Sequence, residues 1–348
     1  MQLWNKLNKE ELEEQLRDIG HEFLTISFYK YARIANPHLF RDHLFLMWSK
    51  LEVVGRTYIA SEGINAQIAV PTKNISLFRE ELYQIDFLNG IRLNFAVDES
   101  EAEFPFLKLK IKVRNKILAD GLNDETFDVT KKGKHLNAEE FNTLTDDPET
   151  LLIDFRNHYE SEVGYFEGAI LPDVDTFRDS LPKIEKEILK GNEHKNIVMY
   201  CTGGIRCEKA SAWFKHRGFP NVHQLEGGII KYARDVKEQG IQNKFKGKNF
   251  VFDERRGERI TEEIVSVCHL CGTPADTHTN CANSACHLLF IQCDKCKEKL
   301  DNCCSSECKE IFHLPIEEQK ELRKGIDNSN KIFKKGRADH LAFKRKYK

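Results

Sequence analysis

Nine of the chain's 11 cysteines lie between Cys268 and Cys308, and no other feature limits the fold so sharply. They come as four close groups: Cys268-x2-Cys271, Cys281-x4-Cys286, Cys293-x2-Cys296 and Cys303-Cys304-x3-Cys308. The first residues, MQLWNKLNKEELEEQL, are charged throughout and are not a secretory signal. Disulfides are therefore not expected, and the thiols read as metal ligands or nucleophiles. Paired thiolates at these spacings suit tetrahedral zinc in a structural role. The expected ligands are Cys268, Cys271, Cys281, Cys286, Cys293, Cys296, Cys304 and Cys308, making two sites, cross-braced if the first and third pairs share one metal. Cys303 or Cys304 is then spare, and His269, His278 or His287 can substitute. The competing readings are a metal-free thiol cluster and an iron–sulfur site. This region is short of long apolar periods, so a metal rather than a core is expected to hold it together.

Ahead of this module the apolar pattern changes twice. FLTISFYKYARI (23–34), VVGRTYIA (53–60), INAQIAV (64–70) and IRLNFAV (91–97) read as strands. HLFRDHLFLMWSKL (38–51) and NISLFREELYQI (74–85) have helical spacing. The order β-α-β-β-α-β is the ferredoxin-like split βαβ pattern. LKLKIKVR (107–114) adds an edge strand or leads into the next domain. Further on, strands at 150–156, 168–172, 196–201 and 222–228 alternate with helices at 177–188, 207–218 and 229–239, which argues a parallel α/β sheet. The expected organisation is a ferredoxin-like α+β domain over 1–115, a parallel α/β domain over 125–245, a cysteine-rich module over 250–315 and a basic tail over 316–348.

With 348 residues there is room for two or three domains. The formal net charge of -2 gives no global push toward nucleic acid. The stretch from Arg323 to Lys348 is locally basic, and either contacts phosphate or is a solvated, partly disordered tail. No apolar run approaches the roughly 18 residues of a membrane span, so a cytoplasmic protein without a membrane partner is expected.

The stretch MYCTGGIRC, Met199 to Cys207, carries the clearest chemistry. Cys201 ends an apolar strand, where ligand sites of open α/β sheets lie. The loop Thr202, Gly203, Gly204, Ile205, Arg206 then leads into a helix. Two glycines let backbone amides converge into an anion nest. Those amides, the helix N-terminus and the Arg206 charge all favour thiolate over thiol. A buried cysteine beside a tight turn is the competing reading. Cys207 is either a resolving thiol or a packing residue at the helix start. In the first domain, the turn Ser61-Glu62-Gly63 suggests an exposed hairpin tip. Glu62 and Asn65 there are candidates for base or ribose contacts and Arg56 for phosphate, against the alternative of a polar turn. Phe23, Phe28 and Tyr58 are available for base stacking or belong to a core.

LLIDFRNHYESEVGYFEGAI and NIVMYCTGGIRCEKASAWFKHRGFPNVHQLEGGI resemble a rhodanese domain over roughly 130–240. That resemblance maps the family's persulfide-carrying nucleophile onto Cys201. It maps the early Asp-x-Arg that shapes the site onto Asp154 and Arg156, and further landmarks onto Gly168-Ala169 and Leu225-Glu226-Gly227-Gly228. Adding SEGINAQI, LEGGIIKYAR and THTNCANSACHLLFIQC, the chain from about 20 to 315 resembles the rhodanese-domain tRNA uridine hydroxylases. The resemblance implies oxygen-dependent formation of 5-hydroxyuridine at the tRNA wobble position, with the cysteine at Cys201 required. It implies tRNA as partner, with no DNA expected, and molecular oxygen as co-substrate. No organic cofactor is evident: there is no GxGxxG fingerprint and no facial triad that can be placed. Addition of Cys201 to C6 of uracil, or an oxidised or persulfidated Cys201, are the chemical routes. A rhodanese-type sulfurtransferase with a persulfide on Cys201 is the alternative, and a non-catalytic adaptor is a third reading.

Overall fold

Alternation along a single strand sets up the first domain. In the computed structural model, which describes residues 9–19, 22–97, 104–325 and 335–345, Ile26 and Phe28 point to one side of that strand and Ser27 and Tyr29 to the other. The helix α1 (Lys9–Ile19) precedes it. Strands β1 (Phe23–Tyr31), β2 (Val54–Ala60), β3 (Gly63–Pro71), β4 (Asn94–Phe95) and β5 (Leu109–Val113) form one sheet in the order β4-β1-β3-β2-β5. Only the β2–β5 pair is parallel. Helices α2 (Pro37–Lys50) and α3 (Ile75–Tyr83) cover one face, where Ile26, Phe28, Trp48, Ile68 and Phe78 form the core. The expected strand over 91–97 shortens to Asn94–Phe95, because the chain before it turns tightly at Asp86–Leu88 and the Tyr83 hydroxyl takes the Ile91 carbonyl. The edge strand at 107–114 is present as β5.

The second domain is built on four parallel strands, β6 (Lys134–Leu136), β7 (Thr150–Asp154), β9 (Asn196–Tyr200) and β10 (Val222–Leu225), in the order β6-β10-β9-β7. Helices α4 (Ala138–Thr145), α5 (His158–Ser161), α6 (Phe177–Ile184), α7 (Ile205–His216) and α8 (Gly228–Gln239) surround it. Ile153, Met199 and Phe214 pack on one side, and Leu152, Val198 and Tyr232 on the other. Burial on both sides is why β7 and β9 read as continuous apolar runs. β6 has three residues, too few for a period to register. The strand expected at 168–172 is only a bridge between Ile153 and Ile170. The helix expected over 177–188 is α-helical to Ile184 and continues as a π turn over Glu185–Leu189. Pro182 lies just before that change and has no N–H to donate. A separate three-stranded sheet joins β8 (Gly164–Phe166), β11 (Phe245–Asn249) and β12 (Glu258–Arg259), leading into the cysteine module.

In that module the hairpin β13 (His278–Asn280) and β14 (Leu289–Ile291) sits between two thiol clusters. Cys268, Cys271, Cys293 and Cys296 form one, and Cys281, Cys286, Cys304 and Cys308 the other, with the sulfurs of each within 4.8 Å of one another. The first and third groups share one cluster and the second and fourth share the other, the cross-braced arrangement. Cys303 is buried outside both clusters. His269 bonds Glu162 at 3.0 Å instead, and neither it, His278 nor His287 belongs to either cluster. Each cluster could hold a metal ion.

Part of the basic tail is not a solvated appendage. Residues 335–345 return to the body of the protein: Gly336 N–H bonds the Leu289 carbonyl at 2.6 Å, Phe343 N–H bonds the His269 carbonyl at 3.1 Å, and Leu341 is buried. Lys331, Lys334, Lys346 and Lys348 lie outside the described residues.

Asp154 and Arg156 are both buried and form a bidentate pair, with Arg156 Nη2 2.7 Å from Asp154 Oδ2 and 2.6 Å from the Gly164 carbonyl. Removing one partner strands the other charge in the interior. Asp154→Ala is expected to lower the unfolding free energy of this domain by about 3–5 kcal/mol, read from urea unfolding of the full chain.

Candidate active site

Cys201 follows β9 directly, and its sulfur accepts the Gly204 N–H at 3.2 Å. Gly204 has φ +99°, and a Cβ there would stand 3.0 Å from the Tyr29 hydroxyl of the first domain. The loop is also tied from behind. Ile229 and Ile230 N–H, in the first turn of α8, bond the carbonyls of Cys201 and Thr202 at 3.0 and 3.2 Å. Gly228, at φ +66°, permits this approach: a Cβ would meet those two carbonyl oxygens at 2.5 and 2.6 Å. The LEGG segment is therefore a backbone clamp on the cysteine loop.

The electrostatics divide the two loop cysteines. Burial pushes the Cys201 thiol up. The Cys207 thiol, the Arg206 charge and the amides of Cys207 and Arg206 more than offset this and bring it down to about 6. Cys207 is itself fully buried, and burial together with its bond to Cys201 holds its own pKa well above the usual thiol range. It packs at the start of α7, where its thiol lowers the Cys201 pKa. Arg206 does not reach into solution. Its two terminal nitrogens grip both oxygens of Glu160 at 2.7 and 2.8 Å, and its Nη2 lies 3.4 Å from Thr202 Oγ1. Glu160 is fully buried; burial raises its carboxyl, but Arg206 pulls it below the ordinary carboxylate range. Asp154 and Arg156 lie in the wall behind and do not line the cavity.

In front of Cys201 is a cavity of about 400 Å³ between the two domains. Its floor is Cys201, Thr202, Gly203, Ile205 and Arg206. Its roof is the helix-free face of the first sheet, presenting Ser27, Tyr29, Arg56, Tyr58, Asn65 and Gln67. The register explains this grouping: Ser27 pairs with Gln67, which pairs with Arg56, and Tyr29 pairs with Asn65, which pairs with Tyr58. Ser27 Oγ is buried without a hydrogen-bond partner. The size fits the roughly 300–1,000 Å³ range of small-molecule pockets, and the lining offers amides, hydroxyls and a guanidinium to a polar ligand.

The structure thus brings Arg56 and Asn65 to the cysteine loop and turns Glu62 away from the cavity. The hairpin tip expected to be exposed is docked. Glu62 accepts the Ile117 N–H at 2.9 Å and pairs with Lys209 of α7 at 2.8 Å. Of the aromatics, Tyr58 lines the cavity, whereas Phe28 belongs to the core against Trp48 and Phe23 packs elsewhere. Sequence reasoning missed Glu160, Tyr29, Ser27 and Gln67. Glu160 was detectable as the fourth residue of Asn157-x-x-Glu160, a capping-box spacing, and its carboxylate does accept the Asn157 N–H at 3.0 Å. Among the described residues, no helix is long and apolar enough to cross a membrane.

Comparison with known proteins fits these parts. Residues 23–117 match the UPF0176 acylphosphatase-like domain, 137–235 the rhodanese-like domain and 246–309 the rhodanase C-terminal domain. Three curated relatives carry the name tRNA uridine(34) hydroxylase. The protein from Leptospira interrogans is 51% identical over 335 residues, covering 96% of this chain and 90% of that protein. Those from Enterobacter sp. and Photorhabdus laumondii are 53% and 52% identical over 336 residues, covering 96% of this chain and 95% of each relative. The chain belongs to the tRNA uridine(34) hydroxylase family.

Proposed function

We propose that this protein hydroxylates the wobble uridine of tRNA at C5, in the cytoplasm, with Cys201 as the nucleophile. The observation that carries the reading is a stabilised thiolate at the floor of a nucleoside-sized cavity whose roof is polar and aromatic. The names of the relatives support the same reaction. In this reading the uracil enters between Cys201 and the sheet. Asn65 and Gln67 meet its polar edge, Tyr58 offers a ring face, and Arg56 takes a backbone phosphate.

The chemistry follows from where electrons can go. The Cys201 thiolate adds to C6, and the C5–C6 electron pair moves onto O4 as an enolate. C5 is then nucleophilic toward oxygen. Loss of the C5 proton and departure of the thiolate restore the ring. One atom of molecular oxygen goes to C5; the other takes two electrons and two protons from a dithiol co-substrate, which becomes a disulfide, and leaves as water. Arg206 acts through its charge on the thiolate, since its hydrogen bonds are engaged by Glu160. The loop of Thr202, Gly203, Gly204 and Ile205 supplies shape and amides. Asp154 and Arg156 act only by fixing the wall behind it.

The two clusters are assigned to structural zinc. Tetrahedral zinc with bonds near 2.3 Å sets its sulfurs about 3.8 Å apart. The separations are 3.6 Å for Cys271–Cys293 and 3.7 Å for Cys286–Cys304 and Cys304–Cys308. All eight ligands are thiols, leaving no open position for catalysis. Elemental analysis of the purified protein is expected to give two zinc ions per chain, and stripping them with a chelator to melt the module over 250–315, seen as new protease cuts there.

Nucleoside mass spectrometry of tRNA incubated with the full-length protein and oxygen tests the reaction. Wild type is expected to form 5-hydroxyuridine and Cys201→Ala to form less than about 1% as much, as expected when a covalent nucleophile is removed. Full activity in Cys201→Ala would remove the covalent route. Thiocyanate release from thiosulfate and cyanide, with no modified nucleoside, would favour the sulfurtransferase instead.

The thiolate has its own test. Alkylation of the Cys201 peptide by iodoacetamide is expected to rise through a midpoint near pH 6, since the thiolate gains population as pH rises past its pKa. In Cys207→Ala the stabilising thiol is gone, and the midpoint is expected to move up by about one pH unit.

A further inference from the structure

A second cavity of about 440 Å³ adjoins the one at Cys201. Arg56, Val251, Phe252, Asp253 and Lys335 line both, and the Asp253 carboxylate is held by Arg255 at 2.6 Å. The second is further lined by Lys108 and Lys110, and by Arg256, which pairs with Glu254 of the same lining at 3.4 Å. The origin of this charge is a strand period. Lys108, Lys110 and Lys112 alternate along β5 and its approach, so they share one face. Lys110 pairs in register with Arg56 and Lys112 with Tyr58, which puts them on the same face as the roof of the first cavity. Arg56, Lys108 and Lys110 are exposed, and none of them has an acidic partner among the described residues. Like charges set opposite each other across a ladder oppose folding. Here the crowding is large enough to act on titration: Lys112, ahead of burial, Arg56 and Lys108, lowers the Lys110 pKa. A row of this kind is satisfied by an anion lying along it.

We propose that the second cavity binds the nucleotide adjacent to the target in a single-stranded RNA loop, with Lys108, Lys110 and Arg56 on its phosphodiester and the Phe252 ring against its base. This rests on the reading that the protein acts on tRNA, and it adds a site beyond the cysteine pocket. Aromatic rings beside a basic track are how single strands are held without reading sequence. The two cavities meet at Arg56, so one guanidinium stands where the phosphate linking two successive nucleotides would pass. Lys335 comes from the returning C-terminal segment and reaches the same junction, where its ammonium bonds the Tyr159 hydroxyl at 2.6 Å.

The test uses the full-length protein and a fluorescent anticodon stem-loop RNA with uridine at the wobble position. Affinity is measured across a series of salt concentrations. The double variant Lys108→Gln/Lys110→Gln is expected to weaken binding about tenfold at roughly physiological salt. It should also reduce the slope of log affinity against log salt by about 0.7, the contribution of the one single-strand phosphate these lysines neutralise. Both lysines are surface residues, so the variant should fold. Lys186→Gln/Lys190→Gln makes the same charge change where the chain approaches the N-terminal end of β9, opposite the Cys201 end, and should leave affinity and slope unchanged. A second reading compares uridine dinucleotide with uridine monophosphate: wild type should prefer the dinucleotide and the lysine variant should lose that preference. Wild-type affinity and slope in Lys108→Gln/Lys110→Gln, with no loss of dinucleotide preference, would overturn the proposal. The nucleoside product assay reports separately on hydroxylation, so failure of that reaction and failure of this subsite are distinguishable.

Discussion

Lys209 carries its ammonium into the seam between the first two domains, and the position of the cavity depends on it. The residue is 2% exposed. Its charge is met by Glu62 at 2.8 Å and Asp120 at 2.6 Å, and the Tyr31 ring centroid lies 5.1 Å away. Glu62 belongs to the first domain, Asp120 to the connecting segment and Lys209 to helix α7 of the second. An ammonium alone in that environment would be unfavourable by several kcal/mol, so the three groups are stable only as a set. Asp120 is also bonded by Lys116 at 2.6 Å, and the pull of Lys116 and Lys209 overcomes burial to lower its pKa. This charge cluster, with Tyr29 and Lys132 on Glu208, holds the polar sheet face over the cysteine loop. Without that docking the roof residues would face water and Cys201 would lie in an open cleft.

The lowered Cys201 pKa has a less obvious use than making a stronger nucleophile. At pH 7 a pKa near 6 gives about 90% thiolate, against about 1% for an ordinary thiol with pKa 9. Intrinsic nucleophilicity falls as pKa falls, with a Brønsted slope of about 0.4–0.5, so three units take back a factor of roughly 20. The net gain in attack is only a few-fold. The same stabilisation also speeds departure of the sulfur, because a low-pKa thiolate is the better leaving group. In the proposed route a covalent adduct at C6 has to be released from every product, and the loop geometry suits that step as well as the first. The clamp by α8 contributes here too, since it holds the amide array in one arrangement while charge on the sulfur is removed and restored.

What could be read from the sequence was chemistry carried by residue type and local spacing. Thiol pairs at short spacing stand out from core, so two four-thiol clusters were expected from spacing, with cross-bracing one possible grouping and the choice between Cys303 and Cys304 left open. The glycine loop after an apolar strand was equally plain, because two glycines and a helix start fix where amides point. The split βαβ order followed from period two giving way to period 3.6. The features that escaped lie between segments far apart in sequence. Glu62 looks like an exposed turn residue until Lys209, 147 residues later, is placed beside it. Glu160 looks like an ordinary helix-start acid until Arg206, 46 residues on, arrives. Residues 335–345 read as a basic tail because their anchors lie far away in sequence: two backbone bonds to Leu289 and His269, Lys335 on Tyr159 and Arg337 on Asp173 and Asp175.

The interleaving of the two thiol clusters has a consequence for metal traffic. One cluster spans Cys268 to Cys296 and the other Cys281 to Cys308, so the chain from Cys281 to Cys296 belongs to both. If each cluster holds a metal ion, binding at either closes a loop that pre-arranges half of the other, and occupancy is then cooperative rather than independent. The β14 strand inside that shared stretch also receives the returning segment at Leu289 and borders the second cavity. Metal scarcity would therefore not erode this protein gradually. It would divide the population into fully loaded molecules with an intact rim and empty ones without it.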